Sequence, residues 1–339
     1  MREGLWDKAR GIGIILVVFG HIMRSLTAAH VAGENNPLAF TDFALYTFHM
    51  PLFFMLAGIN AARSLGKDNF IKSKIPTIVY PYLLWSVING VMQLLSPVAA
   101  NNALPLSALA QILWQPVFHY WFLHTLFICV VLAYLVGPNK VRLAVFAAVI
   151  YPIGVYLRPQ IPALGNPMIF MVFYAAGILL SDRVKGVVAR SATPLGVAAT
   201  AAGLAAAIYV AGQLGGYTDP SALGAAVLGI LLVLQLAYLL PDAGPMRIIA
   251  LLGLASMPIY LVHMLCGAVV RMVLIKVFHT TNFPLHLVAG VVFALLLPTI
   301  FFYCAYRLGI ERWFGFAGGE QAFGRFGFKQ GGQLEKSSS

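Results

Sequence analysis

Ionisable side chains inside long apolar runs are costly, and this chain keeps very few of them. His21, His49, His124 and His263 each lie within such a run, and Arg10 lies near the start of the first. Arg10 and His21 are eleven residues apart. On a helix that spacing leaves them ~20° from one face and separates them by a rise of ~16 Å. An extended pantetheine arm has a comparable length. The guanidinium suits a bidentate phosphate contact, and a neutral imidazole suits a general base acting on a hydroxyl. From spacing alone the favoured reading is an arginine that anchors topology and a histidine that bonds a neighbouring helix. Counted from the ends of their apolar runs, the four histidines fall in one layer, ~8–12 Å below one surface. No HExxH spacing accompanies them, so no metal is expected.

Further candidates flank this layer. Trp121 and His124 are neighbours on one helical face, within His119-Tyr-Trp-Phe-Leu-His124. That cluster reads either as an interfacial aromatic belt or as a stacking surface for a sugar ring. Lys72 and Lys74 precede Pro76 and Tyr80-Pro-Tyr82; they are extra phosphate contacts for an anionic cosubstrate or a topology signal. Asp7 is placed to pair with Arg10 or to cap the first helix. Glu34 and Asp42 lie in an outer segment, from which either could orient a histidine. Cys129, Cys266 and Cys304 sit in apolar runs and act there as small hydrophobes.

The elements that must position these residues follow from composition. Of 339 residues, 60% are apolar and 10% charged, against ~25% charged in an average soluble domain. So few charges could not cover a soluble globule, which excludes a cytosolic enzyme, a disordered chain and a nucleic-acid-binding domain. The pattern predicts an all-α, polytopic membrane bundle of about ten helices. They are expected near 11–28, 41–63, 76–97, 119–137, 141–157, 165–182, 193–213, 221–241, 247–271 and 284–309, with the fifth and sixth short enough to form one broken pair. The net charge of +11 is then mostly topology. With both termini in the cytoplasm, 18 basic residues fall on the inner side and four (Arg24, Arg158, Arg271 and Lys276) on the outer. The transmembrane domain is expected over 1–309, followed by a flexible cytoplasmic tail over 310–339.

Several stretches together resemble one family. Leu5-Trp-Asp7-Lys-Ala-Arg10 through Phe19-Gly20-His21 is similar to the opening of the acyltransferase family 3 membrane proteins, with their Arg/Lys-x10-His motif matched by Arg10 and His21. Phe48-His49-Met50-Pro51-Leu52-Phe53-Phe54-Met-Leu-Ala57-Gly58 resembles the family's FHMPLFFFLSG, with Ala57 where Ser is usual. Lys72 to Trp85, Trp121-Phe122-Leu123, Tyr174-Ala-Ala-Gly177-Ile and Ser256-Met-Pro-Ile-Tyr260-Leu-Val-His263 resemble later family elements in order. The likeness is strongest to the branch labelled fucose 4-O-acetyltransferase-like.

The resemblance implies ten spans and an acyl group, expected to be acetyl, taken from cytoplasmic acyl-CoA. The acceptor it implies is a hydroxyl of a saccharide or lipid-linked glycan at or beyond the outer surface. It makes His21 the base or acyl-handling residue, with Arg10 as its catalytic companion and acyl-CoA contact, and Lys72 and Lys74 as further cosubstrate contacts. His49, Trp121, His124, Tyr260 and His263 become the acceptor-side candidates. The expected setting is the lipid bilayer of a bacterial inner membrane, with no nucleic-acid partner and compatible with a homo-oligomer. The competing class is a transporter or permease using an intramembrane histidine relay. A polyprenyl-linked glycosyltransferase fits poorly, because only Glu34 and Asp42 supply outer carboxylates.

Overall fold

A computed structural model describes residues 4–32, 38–95 and 110–324. The described residues are helical throughout, without a strand, and hold ten helices long and apolar enough to cross a membrane. Their α-helical parts are α1 (Gly4–Ala28), α2 (Ala39–Ala61), α3 (Tyr80–Leu95), α4 (Trp121–Val136), α5 (Lys140–Leu157), α6 (Pro162–Leu180), α8 (Pro194–Leu214), α9 (Leu223–Leu239), α11 (Ser256–Lys276) and α12 (Phe283–Leu308), with adjoining helical turns completing the third, fourth and eighth spans. Two short helices join successive spans, α7 (Val184–Ser191) and α10 (Arg247–Leu254), and a third, α13 (Gly319–Phe323), follows α12. Two turns of tighter and wider pitch, Lys72–Lys74 and Ile75–Val79, lead into α3. Pro76 and Pro81 have no N–H to donate there, which favours a departure from α pitch. Glu34 and residues 325–339 of the expected tail lie outside the described residues.

The helices form two compact units. One comprises residues 1–42, 83–109 and 242–339. Its α1, α11 and α12 pack together, and α10 lies along the first turns of α1. Gly11 and Gly253 make that contact, since a Cβ on Gly11 would overlap the Ile249 carbonyl and one on Gly253 the Asp7 carbonyl. Small residues let two backbones approach this closely where no water-driven force holds them. Gly11→Val should therefore destabilise the fold by about 1–3 kcal/mol, seen as a lower melting temperature and a smaller monodisperse fraction of detergent-solubilised protein. An unchanged melting temperature would show that α10 can move aside.

Two expectations change in this unit. The ninth apolar run is not one helix over 247–271, because it breaks at Ala255 into α10 and α11, and α11 runs on to Lys276. Pro258 sits in the first turn of α11, where a missing N–H costs nothing. Residues 310–324, assigned by the sequence to the tail, are folded. A turn at Glu311–Phe314 and α13 place Phe316 and Phe323 in the core at 1% and 3% exposure, and Trp85 Nε1 donates to the Phe314 carbonyl at 2.9 Å. Four phenylalanines and a tryptophan over 310–326 give this stretch more apolar surface than a disordered chain carries.

The second unit comprises residues 43–82 and 110–241. The fifth and sixth apolar runs are two complete helices, α5 and α6, packed along each other as a hairpin rather than one broken pair. Pro162 opens α6 at its first turn, and Gly154 and Gly165 let the hairpin close tightly. α8 packs on α9, and α9 also on α7. There the buried Gln235 donates its amide to the Ser191 carbonyl at 3.1 Å.

Three of the four basic residues that charge counting left on the sparse side are held by partners within their own units. Arg24 forks onto Asp42 with Nε and Nη2 at 2.9–3.0 Å, so Asp42 grips an arginine rather than orienting a histidine. Arg271 donates Nη1 to the Ser25 carbonyl and hydroxyl at 2.9 and 2.7 Å. Arg158 donates to Asn166 at 3.0 Å and to Thr218.

Candidate functional site

His21 and His263, 242 residues apart in sequence, meet in the first unit. His21 Nδ1 lies 2.8 Å from His263 Nε2, and the rings are 17° from parallel with centroids 5.0 Å apart. The neighbouring Ile22 sets this level of the bundle. Its side chain fills the space left by Gly267 of α11 and Gly290 of α12, drawing both helices onto α1.

The hydrogen bonds fix the proton positions. His263 is fully buried, and its Nδ1 faces the Ile259 and Tyr260 carbonyls at 3.0 and 2.8 Å. Two carbonyls accept only, so His263 Nδ1 carries a proton and donates it. In the neutral ring Nε2 is then an acceptor, and His21 Nδ1–H donates to it. The lone pair of His21 is thereby placed on Nε2. An imidazole oriented through Nδ1 with a basic Nε2 is the arrangement a general base needs. Tyr260 contributes through its carbonyl, and its ring lies 6.3 Å from that of His263. No third His, Cys, Asp or Glu joins the pair into a metal-sized cluster among the described residues.

Arg10 lies three turns back along α1 on the same face. Its Nη1 donates to Asp7 Oδ1 at 3.0 Å, the pairing that the spacing suggested, and its side chain is 23% exposed. That bond uses one of the five guanidinium donors. The paired carboxylate fixes the guanidinium while the others keep the planar fork that a phosphate takes. Lys8, two residues earlier and on another face of α1, is committed elsewhere: it is nearly buried and pairs with Asp242 at 2.8 Å.

The remaining candidates belong to the second unit. His49 is buried at 1% exposure, donates Nδ1–H to the Leu45 carbonyl at 2.6 Å, and meets the edge of Tyr46 at 4.4 Å. Trp121 opens α4 and leans on Phe170, centroids 5.5 Å apart. His124 donates Nε2–H to the Leu113 carbonyl at 3.2 Å and lies beside Tyr82. Lys74 sits over the Phe70 ring at 5.3 Å, and Lys72 is exposed in the turn before it. Arg10, His21, Tyr260 and His263 are thus gathered in one unit, and His49, Lys72, Lys74, Trp121 and His124 in the other. The direct His21–His263 bond was not readable from the sequence, because α11 extends beyond the outer boundary read for it and its rotation is invisible in an all-apolar run.

Comparison with known proteins bears on this geometry. The family model described as "Acyltransferase domain" matches residues 6–303, nearly the whole chain. A curated relative, the nodulation protein NolL of Sinorhizobium fredii (strain NBRC 101917 / NGR234), is 30% identical over 90 residues. That match covers 26% of this chain and 24% of NolL, so the chain spans about a quarter of that relative's length. No solved structure matches.

Proposed function

We propose, from the premise that the chain belongs to the acyltransferase domain family, that this integral membrane protein is an O-acetyltransferase. It would move an acetyl group from cytoplasmic acetyl-CoA to a hydroxyl of a cell-surface or lipid-linked glycan. The observation that carries the reading is the 2.8 Å bond between His21 Nδ1 and His263 Nε2. It holds one imidazole in the tautomer that accepts a proton at Nε2.

In this reading the acceptor hydroxyl gives its proton to His21 Nε2 as its oxygen attacks the thioester carbonyl. A C–O bond forms, the C–S bond breaks, and the proton passes on to the departing CoA sulfur. His263 Nε2 would stabilise the positive charge on the His21 ring by accepting the shared hydrogen bond, as an orienting partner does in related base-catalysed sites. Arg10 holds a CoA phosphate at one end of the α1 face, and the ~16 Å rise to His21 suits the pantetheine arm. The charge asymmetry supports placing Arg10 at the cytoplasmic side of a bacterial inner membrane.

The test is CoA release and acetyl transfer by the purified chain in lipid nanodiscs, with acetyl-CoA and a membrane glycan extract. A permease would move its substrate without releasing CoA, so the same assay separates the two classes. Arg10→Ala should raise the KM for acetyl-CoA roughly tenfold or more, the loss of hydrogen bonds to a charged group, with a smaller change in kcat. Arg10→Lys should recover part of it. An unchanged KM in Arg10→Ala would remove the guanidinium from the donor site.

A further inference from the structure

The mechanism leaves a polar stripe on α3 without a role. Ser86, Asn89 and Gln93 fall at i, i+3 and i+7, on one face of the helix, and all three belong to the first unit. The stripe is turned inward. Ser86 is 0% exposed and Asn89 is buried, while Val87, Val91 and Met92 on the opposite face are exposed. Asn89 donates Nδ2 to the Trp85 carbonyl at 3.2 Å. Ser86 Oγ and Gln93 Oε1 are buried atoms with no hydrogen-bond partner among the described residues. A helical serine can satisfy its hydroxyl on the carbonyl four residues back, and Ser86 does not. Buried polar groups left unpaired are costly, and within a membrane domain inward-facing polar residues mark the path of a polar ligand.

Trp85 fixes the depth of the stripe. Its Nε1 donates to the Phe314 carbonyl, its ring stacks on Phe316 at 6.0 Å, and Phe316 meets Phe302 of α12 at 5.6 Å. Phe302 lies twelve residues beyond Gly290, against which Ile22 packs, and Arg10 lies twelve residues before Ile22. α12 runs antiparallel to α1, since α13 touches both its end and α10, which lies on the first turns of α1. Phe302, Trp85 and Arg10 therefore stand near one level. With Lys72 and Lys74 on the inner side, α3 climbs from that level toward the level of His21. Ser86 to Gln93 covers ~10.5 Å of the climb, most of the ~16 Å between Arg10 and His21.

We propose that this stripe holds the pantetheine arm of the donor by its two amides. The inference rests on the reading of the protein as a CoA-dependent acyltransferase. With a phosphate at Arg10 and the thioester at His21, the uncharged middle of the arm falls in the interval the stripe covers. The Ser86 hydroxyl donates to an amide carbonyl, and the Gln93 oxygen accepts an amide N–H. Asn89 keeps the face polar between them. The stripe carries no charge, which suits neutral amides and neither a phosphate nor a cation.

The test is isothermal titration of the full chain in nanodiscs with two probes. Desulfo-CoA carries the arm without the thiol, and adenosine 3′,5′-bisphosphate lacks the arm. Ser86→Ala and Gln93→Met should each weaken desulfo-CoA about three- to tenfold, the loss of one hydrogen bond, and leave the bisphosphate unchanged. Arg10→Ala should weaken both probes. Each stripe variant removes an unpaired buried polar atom at nearly constant shape, so it should melt at or above the parent temperature. Desulfo-CoA affinity equal in variants and parent, an equal loss for the bisphosphate, lower melting temperatures in both variants, or no desulfo-CoA binding by the parent overturns the assignment. CoA release from acetyl-CoA by the parent is read in parallel. Arm-dependent binding without CoA release retires the acetyltransferase reading and leaves a pantetheine site standing. CoA release with unchanged variant affinities keeps that reading and removes the stripe.

Discussion

His21→Ala is expected to lower acetyl-CoA-dependent acetyl transfer by about 10²–10⁴-fold, the span removed when a general base is lost. The loss should appear in kcat, with the KM for acetyl-CoA little changed, because Arg10 and not His21 is assigned to hold the donor. The structure makes the substitution interpretable. His21 lies on α1, whose packing in this unit is carried by its neighbours: Ile22 against Gly267 and Gly290, and Gly11 against the Ile249 carbonyl. Removing the imidazole leaves these contacts in place. It also leaves His263 bonded to the Ile259 and Tyr260 carbonyls. The variant should insert, purify and melt close to the parent while failing to release CoA. Full activity in a folded His21→Ala protein would remove the base from the mechanism.

What the sequence yielded and what it withheld divide along a physical line. Hydropathy integrates over ~20 residues, so ten spans were readable despite wrong ends. The break at Ala255 was missed because α10 and α11 are both apolar, although Pro258 in the first turn of α11 marks a helix start. The Arg10–Asp7 pair was legible because both ends lie on one helix, three residues apart. The His21–His263 bond depends on how two helices far apart in sequence rotate toward each other. An all-apolar helix carries no periodic signal for that rotation.

His263 separates a merely polar interior from an organised base, and it should show this through rescue. His263→Leu is expected to reduce acetyl transfer by about 10²–10⁴-fold, comparable to losing the orienting partner of a catalytic imidazole. His263 itself need not touch substrate. Its Nδ1–H is held by two carbonyls, so its Nε2 presents a lone pair to His21 Nδ1. Leucine removes that acceptor, and His21 is then at liberty to put its proton on Nε2, the nitrogen that must be basic. His263→Gln places an amide oxygen near the same point and should recover at least tenfold over leucine, mainly in kcat. A purely structural role predicts the opposite order, since leucine is the better tenant of a fully buried apolar position. Melting temperatures measured beside the kinetics decide between the two. Leucine more stable and less active than glutamine supports a positioning residue. Activity that simply follows stability across the two variants makes His263 a packing residue and returns the orientation of His21 to some other group.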